Sequence, residues 1–128
     1  MKKMLIVTNN PTVSGDADIE TRFVEGNTEE LLLTVRDMVY EGYPLVSHPL
    51  PASIRMMYSP FRSVVLGTNA GVPDPLHVSI AEESLRKYRQ STSQRNLDKI
   101  SEKSTESYKW MDAQLLTVAI KESAPFCQ

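Results

Sequence analysis

The alternation of apolar and polar positions predicts strands in the first half of the chain. Residues 4–8, MLIVT, form a continuous apolar run that stops at Asn9, which is typical of a strand buried on both faces. Residues 19–25 alternate between two faces, one of them polar, which favours an edge strand. Strand character returns at residues 44–48 and again at residues 61–67.

A helix is predicted between the second and third of these strands. Asn27 can cap its first turn, and Glu30 stands three positions later, where its side chain can reach back to the backbone of the cap. Gly42 stands where a left-handed residue ends a helix. The apolar positions in between recur at helical spacing: Leu31, Leu32, Val35, Met38 and Val39.

The C-terminal third also has helical spacing. Residues 78–88 place their apolar side chains on one helical face. Residues 91–107 are rich in Ser, Thr and charge, and we expect a helix here rather than a linker. A single apolar stripe continues through this stretch, with Ser104 as its weak point and a break or kink there as the alternative: Leu97, Ile100, Ser104, Tyr108, Met111, Leu115 and Val118.

The order strand, helix, strand within about thirty residues is the size of a βαβ unit and favours a parallel strand pair. A chain of 128 residues is long enough for one core and too short for two. We therefore expect a single α/β domain over residues 1–128, with a small mixed β-sheet of about four strands, a βαβ unit and a helical C-terminal third.

Composition and charge exclude several classes of protein. Hydrophobic residues make up 41% of the chain and charged residues 23%, as in folded soluble domains. A net charge of -2 argues against nucleic acid as a partner. The chain has no run of about 18 apolar residues that would indicate a membrane span, and its first apolar run is too short for a secretion signal. We expect a cytoplasmic protein.

No motif indicates a cofactor or a metal centre. The sequence contains no glycine-rich phosphate loop, no HExxH and no CxxC. His48 and His77 have no carboxylates at metal-ligand spacing, and the single cysteine, Cys127, cannot build a thiolate cage by itself. We therefore expect neither a cofactor nor a bound metal.

Polar residues after the predicted strands, together with the distribution of charge, favour a binding site for a small anion. Ligands of α/β sheets bind beyond the carboxyl ends of parallel strands. Between Glu41 and Asp74 the chain carries no carboxylate but has two arginines, whose planar fork of donors matches a carboxylate or a phosphate. The candidate binding residues are Asn9, Asn10, His48, Ser53, Arg55 and Arg62.

Each of these residues also has a structural interpretation. The run NNP at residues 9–11 is an ordinary turn opener, and the arginines can pair with carboxylates from other elements. A catalytic His48 would need a partner such as Ser47 or Ser53, and neither serine lies in a nucleophile-elbow motif. We assign no catalytic residue and favour a binding or structural role for His48.

Four short motifs carry a family resemblance through their order and spacing. They are TNNP at residues 8–11, VRD at 35–37, HPL at 48–50 and FRS at 61–63. In this order they resemble the GrdX family, small proteins encoded beside the glycine, sarcosine and betaine reductase components of amino-acid-fermenting anaerobes. The resemblance implies an accessory place in the reductive part of Stickland fermentation, and it supplies no catalytic residues.

Three functions stay open at this level. The leading one is a non-enzymatic accessory protein of the reductase system that binds a small anion or a reductase subunit near residues 48–62. The alternative is a small enzyme centred on His48 that acts on a small carboxylate or an acyl or phosphoryl substrate. A subunit-interface protein would be favoured by an exposed apolar patch on the C-terminal helix or around Met56 and Met57. A homo-oligomer is also open.

Overall fold

Three strands, three α-helices and one 3₁₀ turn make up the part of the chain that the computed structural model describes, residues 4–15, 19–51, 55–93 and 102–123. In chain order the elements are β1 (Met4–Thr8), β2 (Ile19–Phe23), α1 (Thr28–Glu41), the 3₁₀ turn (Arg55–Tyr58), β3 (Ser63–Leu66), α2 (Pro75–Thr92) and α3 (Glu102–Ser123). The predicted α/β domain with a mixed sheet and a helical C-terminal part is therefore confirmed.

The sheet has the strand order β2-β1-β3. β1 pairs in parallel with β2 and antiparallel with β3, so that Ile6 lies opposite Thr21 on one side and Val65 on the other. The central strand β1 is buried on both faces because its apolar run leaves no polar face to meet water. β2 is a partly exposed edge strand, as its alternation predicts.

Residues 44–48, predicted as a fourth strand and the closing strand of a βαβ unit, form instead an irregular segment beside β3. Leu45 makes an isolated antiparallel bridge with Leu66. The ladder is interrupted because a side chain replaces a backbone carbonyl: Ser47 Oγ accepts the Val65 N–H at 2.9 Å, and the Ser47 N–H donates to Val65 O at 3.1 Å. The parallel pair of this sheet lies between β1 and β2.

Asn27 and Gly42 end α1 as predicted, whereas the predicted bond from the Glu30 side chain back to the cap is not among the hydrogen bonds of the described residues. Asn27 Oδ1 accepts the Glu30 N–H at 2.9 Å, which satisfies one of the free donors of the first turn. Gly42 follows the last turn with a φ of 121°, and a Cβ at this position would lie 2.6 Å from Asn69 Oδ1, so the turn requires glycine. Asp74 caps α2 in the same way as Asn27 caps α1.

Helices cover both faces of the sheet. α1 and α2 lie on one face, where alternate residues of β1 and β3 contribute to the largest apolar cluster. α3 lies on the other face over a smaller cluster, in which Leu116 packs against Ile6 and Val65. The strand residues of the larger cluster are Leu5, Val7, Val64 and Leu66.

α3 meets the sheet through a different stripe from the one that its spacing predicts. Met111, Leu115 and Val118, which were expected in the core, are 39%, 42% and 51% exposed. The buried positions are Asp112 and Leu116, each one residue further along the helix than its predicted counterpart. The helix turns this side inward because the Asp112 carboxylate accepts hydrogen bonds from Ser63 and Asn10, at the end of the sheet.

The predicted weak point at Ser104 lies inside α3. The two earlier stripe positions, Leu97 and Ile100, fall outside the described residues. The structure therefore supports a helix across Ser104 and leaves the first part of the predicted stripe as a prediction.

Candidate functional site

Polar side chains converge at one end of the sheet. β1 and β2 are parallel, so their carboxyl ends lie at the same edge, and the antiparallel β3 begins there. In α/β proteins, ligands bind at such an edge. Thr8, Asn9, Asn10 and Arg62 are buried at this edge, and Ser63 is half-buried beside them.

Asn9 joins three segments of backbone. Its Nδ2 donates to Gly26 O at 3.1 Å and to Pro60 O at 2.9 Å. Its Oδ1 accepts the Arg62 N–H at 2.8 Å, and its own N–H donates to Arg62 O at 3.3 Å. Both amide hydrogens are therefore used within the protein, and the side chain holds the loop after β2 against the start of β3.

A second set of hydrogen bonds joins the sheet to α3 through Asp112. This carboxylate is 2% exposed, and its Oδ2 accepts from Ser63 Oγ at 2.7 Å and from Asn10 Nδ2 at 3.1 Å. An ionised carboxylate can only accept, so the Ser63 proton is directed to Asp112. Thr8 Oγ1, which lies 2.7 Å from Ser63 Oγ, must then be the donor in that pair. These bonds fix the face of α3 that turns inward.

The Asn10 side chain completes this network. Its second amide hydrogen is directed to Lys109 O at 2.9 Å, within α3. Its Oδ1 accepts from the Thr12 N–H at 3.0 Å and from Thr12 Oγ1 at 2.8 Å. Every donor of the amide is thus satisfied by the protein, and a ligand would have to displace an existing hydrogen bond to reach it.

Arg62 is a buried cation whose guanidinium is directed to the 3₁₀ turn. It is 5% exposed, Nη2 donates to Met56 O at 3.0 Å, and Nε has no partner among the described residues. Within the same residues it forms no ion pair. Burial lowers the pKa of Arg62, while the charge of Asp112 and the neighbouring Tyr88 phenol raise it.

A cavity of about 400 Å³ opens between α3, the start of β3 and residues 46–51. Much of its wall is apolar and comes from both sides, including Leu50 from the irregular segment and Leu116 from α3. A volume of this size is in the range of small-molecule sites. The polar residues that line it are Ser47, His48, Arg62, Ser63, Asp112 and Glu122.

His48 lies on the wall of this cavity and is exposed. Its Nδ1 accepts the Leu50 N–H at 3.0 Å, so that in the neutral imidazole Nε2 carries the proton and acts as a donor. Neither nearby hydroxyl is arranged as a nucleophile for it, because Ser63 donates to Asp112 and Ser47 Oγ accepts the Val65 N–H. The arrangement is suited to binding.

The structure brings two of the six predicted binding residues, His48 and Arg62, to the same cavity. Asn9 and Asn10 lie at the adjoining edge of the sheet and hold it together. Ser53 falls outside the described residues, as does the side chain of Arg55. The assignment of these six residues to anion binding stays a prediction.

α3 brings two carboxylates to the cavity that the sequence did not predict there, Asp112 and Glu122. The predicted site lies between Glu41 and Asp74, a segment without carboxylates, and α3 is far from it in the chain. One signal was present: Asp112 is the only charged residue between Lys109 and Lys121. A lone carboxylate in such a stretch indicates a buried polar contact.

The fold and the site together define a small α/β domain in which buried hydrogen bonds hold a C-terminal helix over the carboxyl end of the sheet. The family model described as GrdX-like protein matches residues 5–121. The chain therefore belongs to the GrdX-like family, and the resemblance of its short motifs is confirmed. No curated protein and no solved structure matches the chain.

Two further features of the described residues bear on function. None of their helices combines the length and the hydrophobicity that crossing a membrane requires. No group of three or more His, Cys, Asp or Glu side chains among them is arranged to hold a metal ion.

Proposed function

We propose that this protein is a non-enzymatic accessory protein of a glycine, sarcosine or betaine reductase system and that it binds a reductase subunit through the exposed face of α3. Membership in the GrdX-like family supports the association with the reductase. The exposed hydrophobic residues of α3 carry the second part of the proposal. We call these residues the α3 apolar surface: Trp110, Met111, Leu115 and Val118.

The α3 apolar surface has the composition of a protein interface. Trp110 is 62% exposed, and the other three members follow it along one side of the helix. The helix carries no charge between Lys109 and Lys121 apart from the buried Asp112. Interface cores are depleted of charge and enriched in Trp and Met, and large exposed apolar patches mark binding surfaces.

The second candidate surface for a partner is absent. Met56 and Met57, whose position in an irregular loop suggested an apolar patch, are both buried. Met57 packs with Leu32, Leu85 and Tyr88 beneath the 3₁₀ turn. We therefore propose α3 for the subunit contact.

Binding assays with the full-length protein and individually purified reductase subunits test the proposal. We expect one subunit to bind, and Trp110→Ala to weaken its affinity about tenfold or more, because buried Trp residues dominate interface energetics. Leu76→Ala is the matched control, since Leu76 is 65% exposed and lies at the start of α2. The control should bind as the unmodified protein does.

Two results would contradict this function. One is the absence of binding to every subunit of the three reductases. The other is a stable dimer in solution that Trp110→Ala converts to a monomer, because the α3 apolar surface would then be covered by a second copy of the chain. Light scattering of both proteins distinguishes this case.

The small-anion part of the leading hypothesis rests on His48, whose neutral imidazole offers an Nε2–H donor on the wall of the cavity, since the guanidinium of Arg62 is directed to Met56 O. Titration with glycine, sarcosine, betaine and acetyl phosphate tests it. Binding to none of these, with intact affinity for a subunit, would remove the anion and leave the subunit contact. His48→Gln should lower the affinity for any of these ligands whose carboxylate contacts His48.

The alternative function is a small enzyme centred on His48, and the observation in its support is that Ser63 and Asp112 line the same cavity as His48. The test is turnover of acetyl phosphate by the purified protein. We expect no phosphate release above that of the His48→Gln variant, since neither neighbouring serine is arranged as a nucleophile. Release that depends on His48 would establish the enzyme.

A further inference from the structure

The carboxylates of α3 change the charge of the cavity between α3 and residues 46–51. Asp112 and Glu122 both line it, and Glu122 is exposed whereas Asp112 is almost completely buried. Arg62, the arginine that lines the cavity among the described residues, directs its guanidinium towards Met56 O in the 3₁₀ turn. The charged groups of the described residues that can meet a ligand in the cavity are therefore mainly negative, which favours a cation over a small anion as its ligand.

Asp112 has acceptor capacity that the protein does not use. Its Oδ2 accepts two hydrogen bonds, from Ser63 Oγ and Asn10 Nδ2. Its Oδ1 accepts none from any described residue, and Asp112 forms no ion pair with them. Oδ1 is not fully enclosed by the protein and is open to the cavity that Asp112 lines. The charge of Arg62 reaches the carboxylate only at longer range.

We propose that this cavity binds a small organic cation, an alkylammonium group that donates a hydrogen bond to Asp112 Oδ1. An ammonium group supplies both the positive charge and the N–H donor that the carboxylate lacks. The alkyl part packs against the apolar wall formed by Leu50, Leu115 and Val118. Glu122 adds a second negative charge to the cavity wall.

Three probes of similar size and different charge test this inference on the full chain. They are n-butylammonium, butyrate and 1-butanol, and binding is measured by calorimetry and by the chemical shifts of backbone amides lining the cavity. We expect n-butylammonium to bind at least about tenfold more tightly than the other two, because a charge-assisted hydrogen bond is gained with the ammonium group alone. Tetramethylammonium, which has no N–H donor, should bind more weakly than n-butylammonium.

Two variants of α3 form a matched pair. Ala119→Leu adds bulk on the wall of the proposed site and should reduce the affinity for n-butylammonium about tenfold. Ala113→Leu adds the same bulk to a second cavity of about 400 Å³, on the side of α3 that faces residues 12–15, and should leave the affinity within about twofold. Asp112→Asn should reduce it as much as Ala119→Leu, although loss of the carboxylate also weakens the contact of α3 with the sheet.

Three results would overturn the inference. They are saturable binding of butyrate as tight as that of n-butylammonium, no saturable binding of n-butylammonium, and an equal loss of affinity in Ala113→Leu and Ala119→Leu. None of these measurements involves a reductase subunit or Trp110. If the three probes do not bind as expected, the proposed subunit contact is not contradicted. If no reductase subunit binds, the proposed cation site is not contradicted.

Discussion

The two faces of the sheet differ in what covers them. On the α1/α2 face, Leu5 and Val7 pack in a continuous apolar cluster with residues of both helices. On the α3 face, the alternate residues of the same strand, Ile6 and Thr8, meet one buried leucine, Leu116, and a network of polar groups. Cavities of about 400 Å³ lie on both sides of α3.

Because of this difference, one face of the sheet supplies most of the stability and the other presents the surfaces that can bind a partner. Apolar burial is the main source of folding free energy, so the α1/α2 face holds the domain together. The hydrogen bonds of Asp112 add less free energy but require one orientation of α3, since each bond depends on the position of its donor. The α3 face therefore presents a defined helix surface and open cavities at little cost to the fold.

The largest effect on stability is expected from a matched pair of leucine substitutions, one on each face of the sheet. Leu31 is fully buried in the α1/α2 cluster, whereas Leu116 lines both cavities beside α3. We expect Leu31→Ala to lower the free energy of unfolding by about 3–5 kcal/mol and Leu116→Ala by about 1–2 kcal/mol, because a side chain beside existing voids loses fewer contacts.

Urea denaturation followed by circular dichroism measures both values. The dependence on urea should keep its slope in both variants, which would show that the same two states are compared. Equal losses of stability would contradict the contrast between the faces, and a larger loss in Leu116→Ala would reverse it.

Removal of the carboxylate at the centre of the α3 network should have the next largest effect. Asp112→Ala removes the acceptor of Ser63 Oγ and of one of the two amide hydrogens of Asn10, and we expect a loss of about 2–3 kcal/mol in the free energy of unfolding. Glu122→Ala removes an exposed carboxylate from the same helix and should stay within about 0.5 kcal/mol of the unmodified protein.

A double-mutant cycle with Ser63→Ala sharpens this prediction. If the two side chains act through their hydrogen bond, the losses in Asp112→Ala and Ser63→Ala should not add, and the coupling should be about 1–2 kcal/mol. Additive losses would show that Asp112 stabilises α3 by another route.

The sequence predicts the parts of the fold that depend on neighbours in the chain. The ends of α1 could be predicted because Asn27 and Gly42 act within a single helical turn. The irregular segment at residues 44–48 could not, because it depends on Ser47 accepting the N–H of Val65, a residue 18 positions away. Apolar pattern alone does not distinguish that segment from a strand.

At the site, too, only the features that depend on neighbours in the chain could be predicted. A polar edge after β1 could be predicted from Asn9 and Asn10, since ligands bind at such edges. The inward face of α3 could not, because the apolar stripe through Leu115 is more regular than the one that Asp112 and Leu116 form. A hydrogen bond between Asp112 and Ser63, 49 positions apart, selected the less apolar stripe.

Ser47→Ala tests whether the Ser47 side chain keeps residues 44–48 from pairing with β3 as a regular strand. The Val65 N–H loses its acceptor, and we expect a loss of about 1 kcal/mol together with faster amide hydrogen exchange at Val65. Ser79→Ala, on the exposed side of α2, should stay within about 0.5 kcal/mol. Unchanged exchange at Val65 would show that a backbone carbonyl takes over the role of the serine.

The smallest effect expected is a pH dependence that belongs to the α1/α2 face. Burial raises the pKa of Tyr88 above its ordinary value near 10, against the opposing influence of a hydrogen bond with Thr28 and of the Arg62 charge. The folded protein therefore holds this proton to a higher pH than the unfolded chain does. The contribution to stability is complete below pH 10 or so and is lost as the pH rises through the folded pKa.

Tyr88→Phe should remove this decline and lie within about 1 kcal/mol of the unmodified protein at neutral pH. Tyr40→Phe is the matched control, because Tyr40 is on the same face of the molecule in α1 but half-exposed. Denaturation curves between pH 8 and 11 compare the three proteins. If Tyr88→Phe and the unmodified protein lose stability in parallel above pH 10, groups other than Tyr88 cause the loss. The stability of the α1/α2 face would then not depend on pH, as its apolar composition suggests.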